Sequence, residues 1–134
     1  MIKSIAHAAL FCADIERSLN FYCEILGLKR AFELEKDGKP YLFYLKVADG
    51  QFIELFFARE GMLPFSRKNC SFAHLCLEVE DIEAACAAIT AKGYPLTQQP
   101  KQGMDSNWQA WLDDPDGNPI ELMQINPESP QAKA

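Results

Sequence analysis

The chain contains two histidines, His7 and His74, and they stand 67 positions apart. Glu54 and Glu121 stand the same 67 positions apart, each inside an apolar run: Phe52-Ile53-Glu54-Leu55-Phe56 and Pro119-Ile120-Glu121-Leu122-Met123. A carboxylate in such surroundings is costly to desolvate unless it is paired, protonated or bound to a metal. Brought together, two imidazoles and two carboxylates would form a His2Glu2 set. Such a set suits one divalent ion (Zn, Ni, Co, Mn or Fe), with positions left for water or substrate. Taken singly, each residue has a plainer reading. A histidine in a strand is ordinarily a hydrogen-bonded structural group, and a glutamate off the apolar alternation ordinarily faces solvent. The recurrence of both types at one spacing is what favours the ligand set.

The elements that would position these residues repeat with the same offset. Ser4, Ala6 and His7 fall on Ser71, Ala73 and His74, and Asp14-Ile15-Glu16 falls on Asp81-Ile82-Glu83. Asp49-Gly50 falls on Asp116-Gly117, and Ile53-Glu54-Leu55 on Ile120-Glu121-Leu122. Each half opens with an apolar stretch of strand length, Ile5–Cys12 or Phe72–Val79, which places its histidine in mid-strand. Asp14 and Asp81 then cap helices whose first turns are acidic. The first helix shows Leu19, Tyr22, Ile25 and Leu26 at helical spacing and stops near Gly27. The second shows Ile82, Ala85, Cys86 and Ile89 and stops near Gly93. Three strands follow in each half: Lys29–Leu34, Tyr41–Val47 and Phe52–Ala58, then Leu96–Gln99, Trp108–Asp113 and Pro119–Ile125. Turn residues join the last two strands of each half, Ala48-Asp49-Gly50 and Asp113 to Asn118. The predicted unit is βαβββ, used twice in an α+β protein. Residues 1–126 are expected to form one domain of two repeats, about 1–58 and 70–126, with a linker at 59–69 and a frayed tail at 127–134.

Composition narrows the function classes. With 134 residues the chain suits one ordinary domain, and 49% hydrophobic residues exclude global disorder. The 13 basic against 19 acidic residues give a net charge of −6 with no basic cluster, which argues against nucleic-acid and membrane-surface partners. No stretch approaches a transmembrane helix, and the apolar opening is interrupted by His7 and followed at once by Asp14-Ile15-Glu16-Arg17. Five cysteines (Cys12, Cys23, Cys70, Cys76 and Cys86) form no CxxC pair and mostly lie in apolar or helical runs. Reduced thiols and a cytoplasmic location are the expectation.

These residues resemble the vicinal oxygen chelate superfamily, and within it the glyoxalase I (lactoylglutathione lyase) branch. The resemblance runs from about Ile2 to Ile125. Its carriers are His7 with Asp14, Ser18, Phe21-Tyr22 and Leu26-Gly27-Leu28, then Ile53-Glu54-Leu55 and Ala73-His74-Leu75 with Asp81. The closing run Asp114-Pro115-Asp116-Gly117-Asn118-Pro119-Ile120-Glu121-Leu122 completes them. It implies two βαβββ modules, each curling into part of an open mixed-sheet barrel around one metal. The implied ligands are His7, Glu54, His74 and Glu121. Three-ligand extradiol dioxygenases and ligand-free bleomycin-binding members of the superfamily match that set less well.

The implied reaction is proton transfer through a metal-stabilised enediolate of a small vicinally oxygenated substrate, a lyase or isomerase step. The base maps to Glu121 first and Glu54 second. Strand alternation and the family pattern put Tyr44, Phe56, Gln109, Trp111 and Met123 on the substrate's side, and Lys101 is a candidate contact for an anionic group. For the aromatic residues, core packing is an equal reading. The sequence departs from glyoxalase I at two glutathione-holding positions, where Phe11 and Ala58 replace an Arg and an Asn. The methylglyoxal–glutathione hemithioacetal is therefore one candidate substrate among others. A metal-dependent dioxygenase, a transferase similar to the fosfomycin-resistance relatives and a non-catalytic small-molecule binder are the alternatives. A homodimer is expected, with the site within one chain or shared between two.

Overall fold

The computed structural model describes residues 3–68 and 71–134, so Asn69 at the end of the expected linker and Cys70 lie outside the described residues. The chain divides into two compact units, Met1–Pro64 and Phe65–Ala134, with the division inside the expected linker.

In the first unit, β1 (His7–Cys12) leads into α1 (Ile15–Leu19), which continues as a π-helical turn (Asn20–Ile25). Strands β2 (Lys29–Lys36), β3 (Lys39–Ala48) and β4 (Gln51–Phe57) follow. They form one open sheet in the order β1-β4-β3-β2, with β1 parallel to β4 and the other pairs antiparallel. Asp14 caps α1 as expected, accepting from the Arg17 amide at 3.1 Å. The apolar stripe differs from a regular helix. The Leu26 amide reaches back to the Phe21 carbonyl and the Leu28 amide to that of Tyr22. The first of these spans five residues, the π spacing, which takes an extra residue into the turn and rotates the side chains. Ser18, Leu19, Phe21 and Tyr22 are therefore the buried residues, while Ile25 and Leu26 are only half-buried. Gly27, at φ +80°, ends the segment with a backbone that other residues adopt at a cost.

The second unit repeats this order with β5 (Leu75–Glu78), α2 (Ile82–Ala91), β6 (Gln98–Gln102), β7 (Trp108–Asp113) and β8 (Pro119–Gln124). Its open sheet runs β5-β8-β7-β6, again with one parallel pair, β5 with β8. The repeat holds at the level of hydrogen-bond register. Ala9 lies opposite Glu54 and Cys76 opposite Glu121, while Tyr44 and Trp111 flank the same glutamates from the other side. Two mixed sheets of four strands, each with its own helix, make the expected α+β pair of βαβββ modules.

Each sheet has two faces of different character. Alternation sends Ile53 and Leu55 to the helix side of the first sheet, where they are buried with Phe43 and Leu45. Ile120, Leu122, Ala110 and Leu112 do the same in the second, beside the buried Ile82, Cys86 and Ile89 of α2. Glu54 and Glu121 project to the other face. The α2 N-terminus is fastened twice: Asp81 accepts from the Ala84 amide, and the Gln124 side chain of β8 accepts from the Ile82 amide.

Several boundaries depart from the sequence reading. His7 opens β1 instead of sitting in mid-strand, and His74 immediately precedes β5. The ladder explains the difference between halves. The Phe52 amide donates to the Ala6 carbonyl at 3.0 Å, but the equivalent residue in the second half is Pro119, which has no N–H to give to Ala73. β6 begins and ends later than expected and carries Pro100, which an edge strand tolerates. The cysteines described (Cys12, Cys23, Cys76 and Cys86) carry no disulfide, and Cys76 is exposed where burial was expected. No described helix is long and apolar enough to cross a membrane.

The tail is the largest correction. Instead of fraying, residues 127–134 include a short helix, α3 (Pro130–Lys133), capped by the fully buried Ser129. Asn107, also fully buried, ties the tail to the β6–β7 turn. Its amide nitrogen donates to Asp105 and to Gln131, and its amide oxygen accepts from the Asn126 backbone. Polar side chains did this where no apolar anchor was visible. Asn107→Ala leaves several of these buried groups unpaired and is expected to cost about 2 kcal/mol. A lowered urea midpoint, with faster proteolysis after residue 126, is the expected reading. Unchanged stability and cleavage would show that the network is not what holds the tail.

Candidate functional site

In the first unit, the edge strand β1 and its neighbour β4 bring His7 beside Glu54. The His7 Nε2 stands 3.6 Å from the Glu54 Oε2, and the carboxylate is buried although the imidazole is half-exposed. Tyr44 faces the same carboxylate across the β3–β4 ladder and meets the His7 ring edge-on at 6.3 Å. A hydrogen bond to Glu54 holds the Tyr44 phenol above its ordinary range, with burial and the carboxylate's charge adding to the shift. Phe32 stacks on Tyr44 at 4.3 Å, and Phe52 closes the aromatic group.

The second unit builds the same constellation from different side chains. The His74 Nε2 lies 3.0 Å from the Glu121 Oε2, and Glu121 is buried. Trp111 takes the place of Tyr44 and meets the His74 ring edge-on at 4.9 Å. Cys76 takes the place of Ala9. Although the residue as a whole is exposed, partial burial of its thiol pushes that group up to about 12, helped by the Glu121 charge, a hydrogen bond to Glu121, and the charges of Glu78 and Asp105. The thiol is thus a neutral donor to Glu121.

The donor chemistry fits a divalent metal. Two ligands at about 2.1 Å from an ion stand roughly 3.0 Å apart at a right angle and roughly 3.4 Å apart at a tetrahedral angle. The two His–Glu separations, 3.0 and 3.6 Å, fall close to these values. Among the described residues neither buried glutamate pairs with a lysine or arginine. Each carboxylate therefore has an acceptor surplus that a half-exposed imidazole and one neutral donor only partly meet. No group of three or more His, Cys, Asp or Glu side chains is placed to hold a metal ion among the described residues. Each unit offers half of the expected four-ligand set.

The other expected residues lie on β4, β6, β7 and β8, with Lys101 on a strand rather than in a loop. Phe56 follows Glu54 by two positions on β4. In the second sheet, Trp111 pairs with Glu121, Gln109 with Met123, and Lys101 with Gln109, which puts all five on one face. The Trp111 indole N–H donates to Gln109 at 3.4 Å, Met123 is buried, and Lys101 is exposed. The turn after β6 packs tightly here: a Cβ on Gly103 would meet the Gln109 amide at 2.3 Å and the Asp105 carboxylate at 2.8 Å. Sequence reasoning missed Phe32, Cys76 and Asp105. Cys76 was legible, since it lies two residues after His74 on the same strand face. Phe32 was legible as the apolar partner of Leu34 in an otherwise charged strand. Asp105 gave no signal before the turn's path was known.

Phe11 and Ala58, the two departures from the family pattern, both line a cavity of about 420 Å³ in the first unit, together with Tyr41, Phe56 and Arg59.

Comparison with known proteins gives the chain's family. The chain is 32% identical over 129 residues to a probable lactoylglutathione lyase of Synechocystis sp., covering 91% of this chain and 95% of that protein. It is 32% identical over 126 residues to a lactoylglutathione lyase of Haemophilus influenzae, covering 90% and 91%. Among solved structures, TnmS3, an antibiotic binding protein from Streptomyces sp. CB03234, superposes with a TM-score of 0.75 at 26% identity, over 93% of this chain and 98% of that one. The family model of the glyoxalase/bleomycin resistance protein/dioxygenase superfamily matches residues 4–122. With its ladder register repeated around two His–Glu pairs, the chain belongs to that superfamily.

Proposed function

We propose that the protein is a divalent-metal-dependent lyase or isomerase of the glyoxalase I type, acting on a small substrate with adjacent oxygens. The observation that carries this reading is the pair of His–Glu contacts at equivalent positions, each with a buried carboxylate that lacks a lysine or arginine partner. His7, Glu54, His74 and Glu121 would hold the ion (Zn, Ni, Co, Mn or Fe). When bound, it supplies Lewis acidity toward the substrate's neighbouring oxygens.

The chain's own residues then account for the proton transfer. Glu121 is the first candidate to take a proton from carbon next to a carbonyl and return it to the adjacent carbon, and Glu54 is the second. Each has one neutral donor, the Cys76 thiol or the Tyr44 hydroxyl, that fixes its orientation without adding charge. Trp111, Gln109 and Met123 beside Glu121, and Tyr44 and Phe56 beside Glu54, would wall the substrate and limit water. Lys101 would meet an anionic substituent. The methylglyoxal–glutathione hemithioacetal is the first substrate to test, since the two relatives described above are named for that chemistry. A homodimer in the cytoplasm completes the reading.

A second reading, a non-catalytic small-molecule binder, is favoured by the likeness to the antibiotic binding protein. Turnover separates the two. Protein stripped and reloaded with Ni, Co, Zn or Mn is expected to isomerise a vicinally oxygenated substrate in proportion to its metal content. His74→Ala is expected to lose both metal and turnover. Glu121→Gln is expected to lower kcat by a factor on the order of 10² to 10⁴. Retained metal in His74→Ala, or near-normal turnover in Glu121→Gln, would sink the assignment. Ligand binding without turnover at full metal loading would favour the binder.

Whether one chain or two complete the site is decided by mixing. The double variants His7→Ala/Glu54→Ala and His74→Ala/Glu121→Ala are each expected to be inactive. Unfolded and refolded together, they regain about a quarter of wild-type activity if ligand pairs come from different chains. They regain none if each chain completes its own site.

A further inference from the structure

The cavity in the first unit has a chemistry of its own. Phe56 lies two positions beyond Glu54 on the same strand face, roughly 7 Å along β4, and Phe11 is its ladder partner on β1. The Phe11 and Phe56 rings meet at 5.5 Å, and Tyr41 meets Phe56 edge-on at 5.6 Å. These rings are not a sealed core: Phe11 is 41% and Tyr41 43% exposed, so flat apolar surface is left facing the cavity and its mouth. Two cations sit on the same aromatic group. The Arg59 guanidinium lies 5.2 Å from the Phe11 ring centre, and the Lys36 ammonium 5.6 Å from that of Tyr41. Among the described residues neither forms an ion pair. In a chain of net charge −6, two cations without carboxylate partners beside one aromatic cavity form a local site for an anion.

We infer that this cavity is the specificity subsite for the far arm of the substrate, and that the arm is an aromatic ring carrying an anionic group. The ring packs among Phe11, Tyr41 and Phe56, and its carboxylate or equivalent anion meets Arg59, with Lys36 adding charge at the mouth. A volume of about 420 Å³ accommodates such a group. A small hydrophilic arm would leave the rings in water, and a neutral aryl arm would leave Arg59 without a partner. The substrate class rests on the reading of Glu54 as part of the reacting centre; the binding of the arm does not.

The test separates the two. Metal-free wild-type protein is titrated by NMR with 3-phenylpropionate, 3-phenylpropanamide and propionate. The expected result is saturable shifts at Phe11, Phe56 and Arg59 with 3-phenylpropionate, weaker binding of the amide and none of propionate. Arg59→Gln, a surface change, is expected to weaken 3-phenylpropionate about tenfold, to the level of the amide, while leaving the amide unchanged. Phe11→Ala is expected to remove binding of both aryl probes. Equal binding of carboxylate and amide, an unchanged Arg59→Gln, or shifts confined to other residues would overturn the proposal. Because no metal is present, each of these outcomes stands whether or not the four-ligand assignment survives its own tests.

Discussion

A buried carboxylate in the middle of an apolar strand is the constraint around which each module is built. Ile53 and Leu55 on one side of Glu54, and Ile120 and Leu122 on one side of Glu121, are required by the core beneath the helix. Alternation then forces the residue between them to the opposite face. A hydrophobic residue there would be easier to bury. A glutamate with one neutral donor and one imidazole is stable only to the extent that its remaining lone pairs are met. On the function proposed above, a divalent cation held by each imidazole and its carboxylate would meet them most completely.

The ladder register transmits this constraint through the rest of each sheet. With Glu54 and Glu121 fixed, the residues opposite them on both neighbouring strands are also fixed: Ala9 and Tyr44 in one module, Cys76 and Trp111 in the other. What differs between the modules is the chemistry placed at those equivalent positions. The second surrounds its glutamate with a thiol donor, an indole, an amide and the nearby Asp105 carboxylate. The first surrounds its glutamate with a phenol and continues along the strand into an aromatic cavity bordered by Arg59. The second module is thus richer in polar and titratable groups around its glutamate, and the first richer in aromatic rings.

Much of this was legible in the sequence because its signals are local or periodic. The caps at Asp14 and Asp81 and the turn at Asp114 follow from spacing alone, and the faces bearing Phe56, Gln109, Trp111 and Met123 follow from strand alternation together with the family pattern. What escaped depends on contacts between distant residues or on backbone hydrogen bonds. The π-helical turn after Leu19 moves burial from Ile25 and Leu26 to Phe21, which an apolar stripe cannot reveal. The start of β5 is set by a missing donor at Pro119, a residue on another strand. The tail's anchor is polar, and buried amide networks of the Asn107 kind have no periodic signature. His7, Glu54, His74 and Glu121 were legible one by one from the repeat, and their pairing required the parallel β1–β4 ladder and the start of β5 beside β8.

The location of Phe11 and Ala58 explains how specificity can drift while the fold and the donor set stay put. Both residues border the cavity, one near the end of β1 and the other just past the end of β4, away from the helix-facing core. Substitutions there change what the cavity accepts without creating voids beneath the helix or shifting the register that holds Glu54. An aromatic ring at position 11 also extends the wall formed by Phe56, because the two are ladder partners on one face. Charge then has to enter from a residue outside the strand. Arg59, in the segment leaving β4, does so by laying its guanidinium over the Phe11 ring, where its stem needs no space in the sheet. On the subsite proposed above, the Phe11 ring and the cation over it act as one recognition unit, and a change at either residue alters the setting of the other.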